Sequence, residues 1–211
     1  IKVFISALAI FALTLGVEGT HGAKRSEQTK RVDVPNLSAT DFPPITIVAF
    51  GDLMLDRFVW TLMQRNGLDY PFEYFTELLS SMGVAPESTP DFLFANLEGP
   101  ISDTPYVNPG TAMVFNFRPD VIPILQKYGF NLFSIANNHA YDMGEKGVRQ
   151  TRERLSEAGI HWVGESKGIA RESQWTTILK STTLTFFAFN DTLRDRLAFD
   201  QAATLLRAAE K

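Results

Sequence analysis

The chain has 211 residues, with 20 Lys+Arg against 24 Asp+Glu, a formal charge of −4 and a pI near 5.4. No basic excess is available to neutralise phosphates, which argues against nucleic acid as a partner. At 45% hydrophobic, 12% aromatic and 21% charged residues the composition excludes disordered and collagen-like classes, and the lack of cysteine excludes disulfides, thiolate metal sites and a Cys nucleophile.

At the N-terminus Lys2 precedes an apolar stretch, Val3 to Val17, and then the small, polar run Glu18-Gly19-Thr20-His21-Gly22-Ala23. This pattern of charged, apolar and cleavable regions predicts a signal peptide over 1–23, with the mature chain starting near Lys24. The apolar stretch is shorter than the roughly 20 residues that span a bilayer. A retained signal anchor is the alternative, left open because the chain starts with Ile1 and is expected to be a fragment at this end. Residues 24–44 read as a flexible lead-in, and the product is expected to be secreted, periplasmic or at the cell surface.

Ile45-Thr46-Ile47-Val48-Ala49-Phe50 is apolar without alternation, as in a strand buried on both faces, and it stops at Gly51. Helical patterning follows over 53–66 and 71–83, the second with Phe72, Phe75, Leu78, Leu79 and Met82 on one side. Asp91 to Ala95 predicts a second buried strand and 99–110 a Pro/Gly/Asn-rich loop. A helix is expected over 119–128, between Pro119 and a capping Gly129. Phe130 to Ile135 predicts a third strand. Over 145–158, Val148, Thr151, Leu155 and Ala158 share one stripe of an amphipathic helix. Ile160 to Val163 reads as a fourth strand. Trp175–Leu179 and Leu184–Phe189, split by Ser181-Thr182-Thr183, suggest a hairpin, and 197–210 a last helix. The alternation predicts one α/β domain over 45–211 with a largely parallel sheet and right-handed crossovers. Because the chain ends inside an Ala/Leu-rich helix, it is expected to hold about the first half of a larger domain.

In open α/β sheets ligands bind beyond the carboxyl ends of the strands. Three strand ends carry related residues: Gly51-Asp52, then Asn96-Leu97-Glu98-Gly99, then Asn137-Asn138-His139 with Asp142 close behind. Oxygen and nitrogen donors from separate strands suit a divalent cation, which polarises a phosphoryl oxygen and acidifies a bound water. Each residue also has an ordinary reading. Asp52 suits the N-cap of the next helix, Glu98 a solvated loop acid, Asn137 and Asn138 a tight turn, and His139 a hydrogen-bonded structural residue. Repetition at three strand ends favours a shared site.

Elsewhere His161 reads as packing or surface, and His21 goes with the leader. Glycines 144, 147 and 159 form no GxGxxG, and neither a Walker lysine nor a GxSxG elbow is present. Phe72–Phe75 and Phe186–Phe189 read as core. Arg149, Arg152 and Arg154 read as a solvated helix face, with one in reach of an anionic substrate.

Gly51-Asp52-Leu53-Met54-Leu55, Asp91 to Glu98, Gly129-Phe130-Asn131 leading to Ala136-Asn137-Asn138-His139 and Asp142-Met143-Gly144, then Leu155 to Ile160 and Gly164 resemble the CapA family of poly-γ-glutamate capsule synthesis proteins. Order and spacing agree firmly over 45–165 and loosely beyond. The resemblance implies the calcineurin-like metallophosphoesterase superfamily, a four-layer α/β/β/α sandwich, and a two-metal site for Mn, Fe, Zn or Mg. It implies Asp52 as a first-metal ligand, Glu98 in place of the bridging acid and Asn138 on the second metal. His139 would meet a phosphoryl group or act as general acid, Asp142 would hold the loop or orient His139, and Asn96 and Asn137 would bind substrate.

Two departures stand out. Met54 occupies the position where the wider phosphoesterase pattern has a His, and the later His-Trp-Gly and Gly-His-x-His segments would lie beyond Lys211. At most half a metal site is therefore expected, with poor folding of the 211 residues alone because an edge of the sheet would be left open. Two functions follow: a secreted metal-dependent hydrolase of a phosphoester or amide-linked polymer, or a non-catalytic envelope protein that binds an anionic polymer in the same cleft. Either would work beside membrane-bound capsule-synthesis machinery.

Overall fold

The computed structural model describes residues 13–16 (backbone only), 43–85, 87–105, 113–165, 170–190, 192, 203, 204 and 207. In chain order the strands are β1 (Leu13–Gly16), β2 (Ile47–Leu53), β3 (Phe92–Leu97), β4 (Leu132–Ser134), β5 (His161–Val163), β6 (Gln174–Leu179) and β7 (Thr182–Phe187). The helices are α1 (Arg57–Asn66), α2 (Phe75–Ser81), α3 (Val121–Lys127) and α4 (Gly144–Glu157). The leader expected over 1–23 lies outside the described residues except for Leu13–Gly16, which pairs as a strand with β7, a strand not read from the sequence. The lead-in over 24–44 lies outside them up to 42, as does most of the helix expected over 197–210, where 203, 204 and 207 are helical. The loop expected over 99–110 is described as far as Pro105.

Strands β2, β3, β4 and β5 form a parallel sheet in that order. Order across the sheet equals order along the chain, so right-handed crossovers all step the same way and put their helices on one face. There Met63, Phe72, Phe75, Leu125 and Leu155 pack on Leu93, Ala95, Leu97 and Phe133. The other face carries Phe92, Phe94, Leu132 and Val163, which pack on Leu184 and Phe186 of an antiparallel sheet ordered β1-β7-β6. Successive residues of β3 thus point into different cores, and all six are buried. This is why the strand is a continuous apolar run. Each large side chain so buried contributes about 1.5–3 kcal/mol.

Several boundaries move. The first strand runs on to Leu53, past its expected end at Gly51, and α1 starts only at Arg57. The segment expected as one helix over 71–83 splits into a 3-10 turn, Tyr70–Phe72, and α2. Phe72 and Phe75 are buried as expected and Leu79 packs part-buried on the same core, whereas Leu78 and Met82, the latter past the end of α2, are exposed at 45% and 49%. The hairpin turns at Lys180-Ser181, earlier than expected, with φ of 49° and 63°. Two successive left-handed residues match the twist of the flanking strands in a two-residue turn. Lys180 then clasps the two sheets together: its Nζ donates to Asp91 Oδ2 at 2.8 Å and to the Pro44 carbonyl at 2.7 Å.

Candidate active site

The parallel strands deliver their last residues to one end of the sheet. Three steps along β2, from Ala49 to Asp52, match two steps along β3, from Phe94 to Asn96. This one-residue bulge sets Asp52 directly opposite Asn96, whose Nδ2 donates to Asp52 Oδ1 at 2.7 Å. Asn96 Oδ1 accepts in turn from Asn137 Nδ2 at 3.1 Å, and the same Nδ2 donates to the Leu97 carbonyl at 2.8 Å. Asn137 Oδ1 accepts from the His139 amide at 3.0 Å. Asn137 is 1% exposed, so one buried and satisfied carboxamide ties the loop after β4 to β3.

That loop presents His139. Its Nδ1 lies 2.8 Å from Asp142 Oδ2, and both side chains are nearly buried, at 12% and 13% exposure. Asp142 Oδ2 also accepts from the Phe115 amide at 2.7 Å, and the Phe115 ring lies on the imidazole with centroids 4.2 Å apart. Residues 113–117 thus form a strap over His139. The strap needs Gly99 beneath it, since a Cβ there would lie 2.9 Å from Phe115 Cβ. Its next residue, Asn116, donates its amide to Asp56 Oδ2 at 2.8 Å, while Asp56 Oδ1 caps α1 by accepting from the Arg57 amide at 2.7 Å. The N-cap is therefore Asp56 and not Asp52, because the bulged strand continues through Asp52.

Glu98 follows β3 and donates its amide to the Leu53 carbonyl at 3.1 Å. It is part-buried, and burial pushes its carboxyl above the usual range. The negative charges of Asp52 and, more weakly, Asp142 add to this, and His139 opposes it. A freely solvated loop acid would not feel these groups. Asn138 is exposed on the turn beside them.

Among the described residues no three His, Asp or Glu side chains gather closely enough to hold a metal ion. What the strand ends do supply is two carboxylates and carboxamide oxygens, with only His139 offsetting the charge at Glu98. Such a set fits one side of a hard divalent cation. The remaining candidates sit elsewhere. His161 is exposed at the start of β5 and stacks on Trp175 with centroids 4.3 Å apart, in keeping with packing or surface. Only Arg149 of the three helix arginines is solvated. Arg152 pairs with Glu165 at 2.9 Å and lies over Trp162, and Arg154 donates to the Ile101 carbonyl at 2.7 Å. Packing of α4 on its neighbours draws both into structural roles. The strap residues Phe115 and Asn116 carried no sequence signal beyond lying at the end of a turn-rich loop.

Fold and site together define an α/β protein whose polar centre lies at the carboxyl end of a parallel sheet. The chain belongs to the bacterial capsule synthesis protein family PGA_cap, whose model matches residues 46–210. It is 26% identical over 123 residues to the capsule biosynthesis protein CapA of Bacillus anthracis, covering 57% of this chain and 28% of the relative. Against the PGA biosynthesis protein CapA of Bacillus subtilis it is 21% identical over 135 residues, covering 64% and 33%. With the protein y4sH of Sinorhizobium fredii it shares 34% identity over 158 residues, covering 71% and 31%. The chain thus spans about three-tenths of the length of these relatives.

Proposed function

We propose that the chain is the N-terminal part of a metal-dependent, phosphoesterase-like hydrolase of capsule biosynthesis, built on the calcineurin-like α/β/β/α sandwich. The observation that carries this reading is the His139–Asp142 pair beside Asp52 and Glu98 at adjoining strand ends. A carboxylate only accepts, so Asp142 places the proton on Nδ1 and leaves Nε2 to exchange a proton with the leaving group or substrate oxygen. Asp52, Glu98 and Asn138 would hold the divalent ion, Mn, Fe, Zn or Mg, which when bound supplies Lewis-acid polarisation. Asn96 and Asn137 hold these groups in register, close to where the substrate would lie. The observed layers of helices, parallel sheet and antiparallel sheet support the sandwich. The charged, apolar and small-polar pattern over 1–23, read as a leader, supports a product outside the cytoplasm, which would take an anionic polymer or phosphoester as substrate beside membrane-bound capsule machinery.

A second reading is an envelope protein that binds an anionic polymer in the same cleft without turnover. Elemental analysis of the protein from its complete reading frame, beside a folded Asp52→Ala, Glu98→Ala variant, separates the two. Near-stoichiometric metal that disappears in the variant supports the hydrolase. A folded wild type that stays metal-free after dialysis against these ions overturns it.

A further inference from the structure

A cleft of about 710 Å³ lies between the start of α1, the Ser102–Pro105 segment and the residues leading into α3, with Asn116 of the strap in its lining. Arg57 and Arg118 both line it, and neither enters an ion pair among the described residues. The Arg118 guanidinium lies over the Trp60 ring, 5.8 Å from its centroid. Trp60 Nε1 and Thr104 Oγ1, on two other lining residues, are buried and make no hydrogen bond among the described residues. The guanidinium groups can only donate, and three carboxylates, Asp56, Asp103 and Asp120, line the cleft beside them.

None of the three pairs with Arg57 or Arg118. Asp56 uses both oxygens on the Arg57 and Asn116 amides. Asp103 faces α4, pairing with Lys146 at 3.6 Å and Arg154 at 3.3 Å. Asp120 is exposed, forms no ion pair among the described residues, and repels an anion at the rim. Arg57 is also held at φ +54°, a conformation L-residues seldom adopt, of the kind that accumulates at binding sites.

We propose that this cleft is an oxyanion site, taking a carboxylate or phosphoryl group between Arg57 and Arg118. Phe115 covers His139 and the next residue, Asn116, lines the cleft. The site goes beyond the metal reading and does not depend on it.

The test is calorimetric titration of the full chain in chelator with inorganic phosphate and, separately, a γ-linked glutamate oligomer. One saturable site is expected, weakened about tenfold or more by Arg118→Gln and by Arg57→Gly, and tightened by Asp120→Asn. Glycine accepts φ +54°, so Arg57→Gly removes the charge without straining the backbone. Binding of the oligomer alone identifies a carboxylate polymer as source, and binding of phosphate alone a phosphoryl group. No saturable binding of either probe at millimolar concentration, or binding that all three variants leave unchanged, overturns the site. Because chelator strips any ion from Asp52 and Glu98, failure here and failure of the metal reading are told apart.

Discussion

A single oxygen, Oδ2 of Asp142, lies 2.8 Å from His139 Nδ1 and 2.7 Å from the Phe115 amide nitrogen. One carboxylate therefore sets the imidazole tautomer and also pins the strap that covers the ring. The two tasks are coupled, since loss of that oxygen frees His139 to rotate and loosens the strap together.

Asp142→Asn offers Nδ1 a donor or a weaker, neutral acceptor. Under the proposed hydrolase reading, the expected result is a loss of about 10²–10⁴ in kcat toward a phosphoester substrate, with metal content retained. Steady-state kinetics beside elemental analysis checks it. Full turnover in the variant would remove Asp142's hold on His139 from the chemistry.

Glu98 titrates above the ordinary glutamate value in the folded chain, chiefly because it is part-buried and then because Asp52 faces it. The folded state thus holds this proton to higher pH than the unfolded state. Stability from this group is full below the ordinary value and falls as pH rises through the raised one. Glu98→Gln in chelator should therefore raise the thermal midpoint at neutral pH and leave it unchanged below about pH 4. A neutral-pH midpoint equal to or below wild type contradicts this account.

Gly164 sits at φ +122°, and a Cβ there would lie 2.7 Å from Ala136 Cβ and 2.8 Å from Ala136 N. Ala136 starts the segment that delivers Asn137 and His139. Gly164→Ala is expected to cost about 3 kcal/mol by combining backbone strain with overpacking. Urea unfolding measures it, and a change under about 0.5 kcal/mol would show that the contact relaxes freely.

Asp91 accepts from Lys180 and from the Thr46 amide on one oxygen, and Lys180 above all holds its carboxyl below the usual range. A depressed carboxyl contributes stability above the unfolded value that is lost as pH falls through the folded one. A double-mutant cycle with Asp91→Asn and Lys180→Met should give about 1 kcal/mol of coupling near neutral pH, discounted for partial exposure, and almost none once Asp91 is protonated. Equal coupling at both pH values would rule out the ion pair as its source.

From β2 onward the sequence by itself determined the order of strands and helices, because hydrophobic periodicity is a local property of the chain; it gave no sign that Leu13–Gly16 would pair with β7. It also marked the strand-end residues Asp52, Glu98, Asn138 and His139, since the ends of apolar runs are legible without knowing what pairs with what. Tertiary structure decided the rest. Only pairing with Asn96 and Leu97 carries β2 past Gly51 and turns Asp52 from a helix cap into a strand residue, leaving the cap to Asp56. Only tertiary packing leaves Leu78 and Met82 exposed while Phe75 and Leu79 meet the core, and only neighbours distant in sequence draw Arg152 and Arg154 out of solvent. The strap over His139 depends on contacts of Phe115 with Gly99, His139 and Asp142, three partners that no local pattern connects.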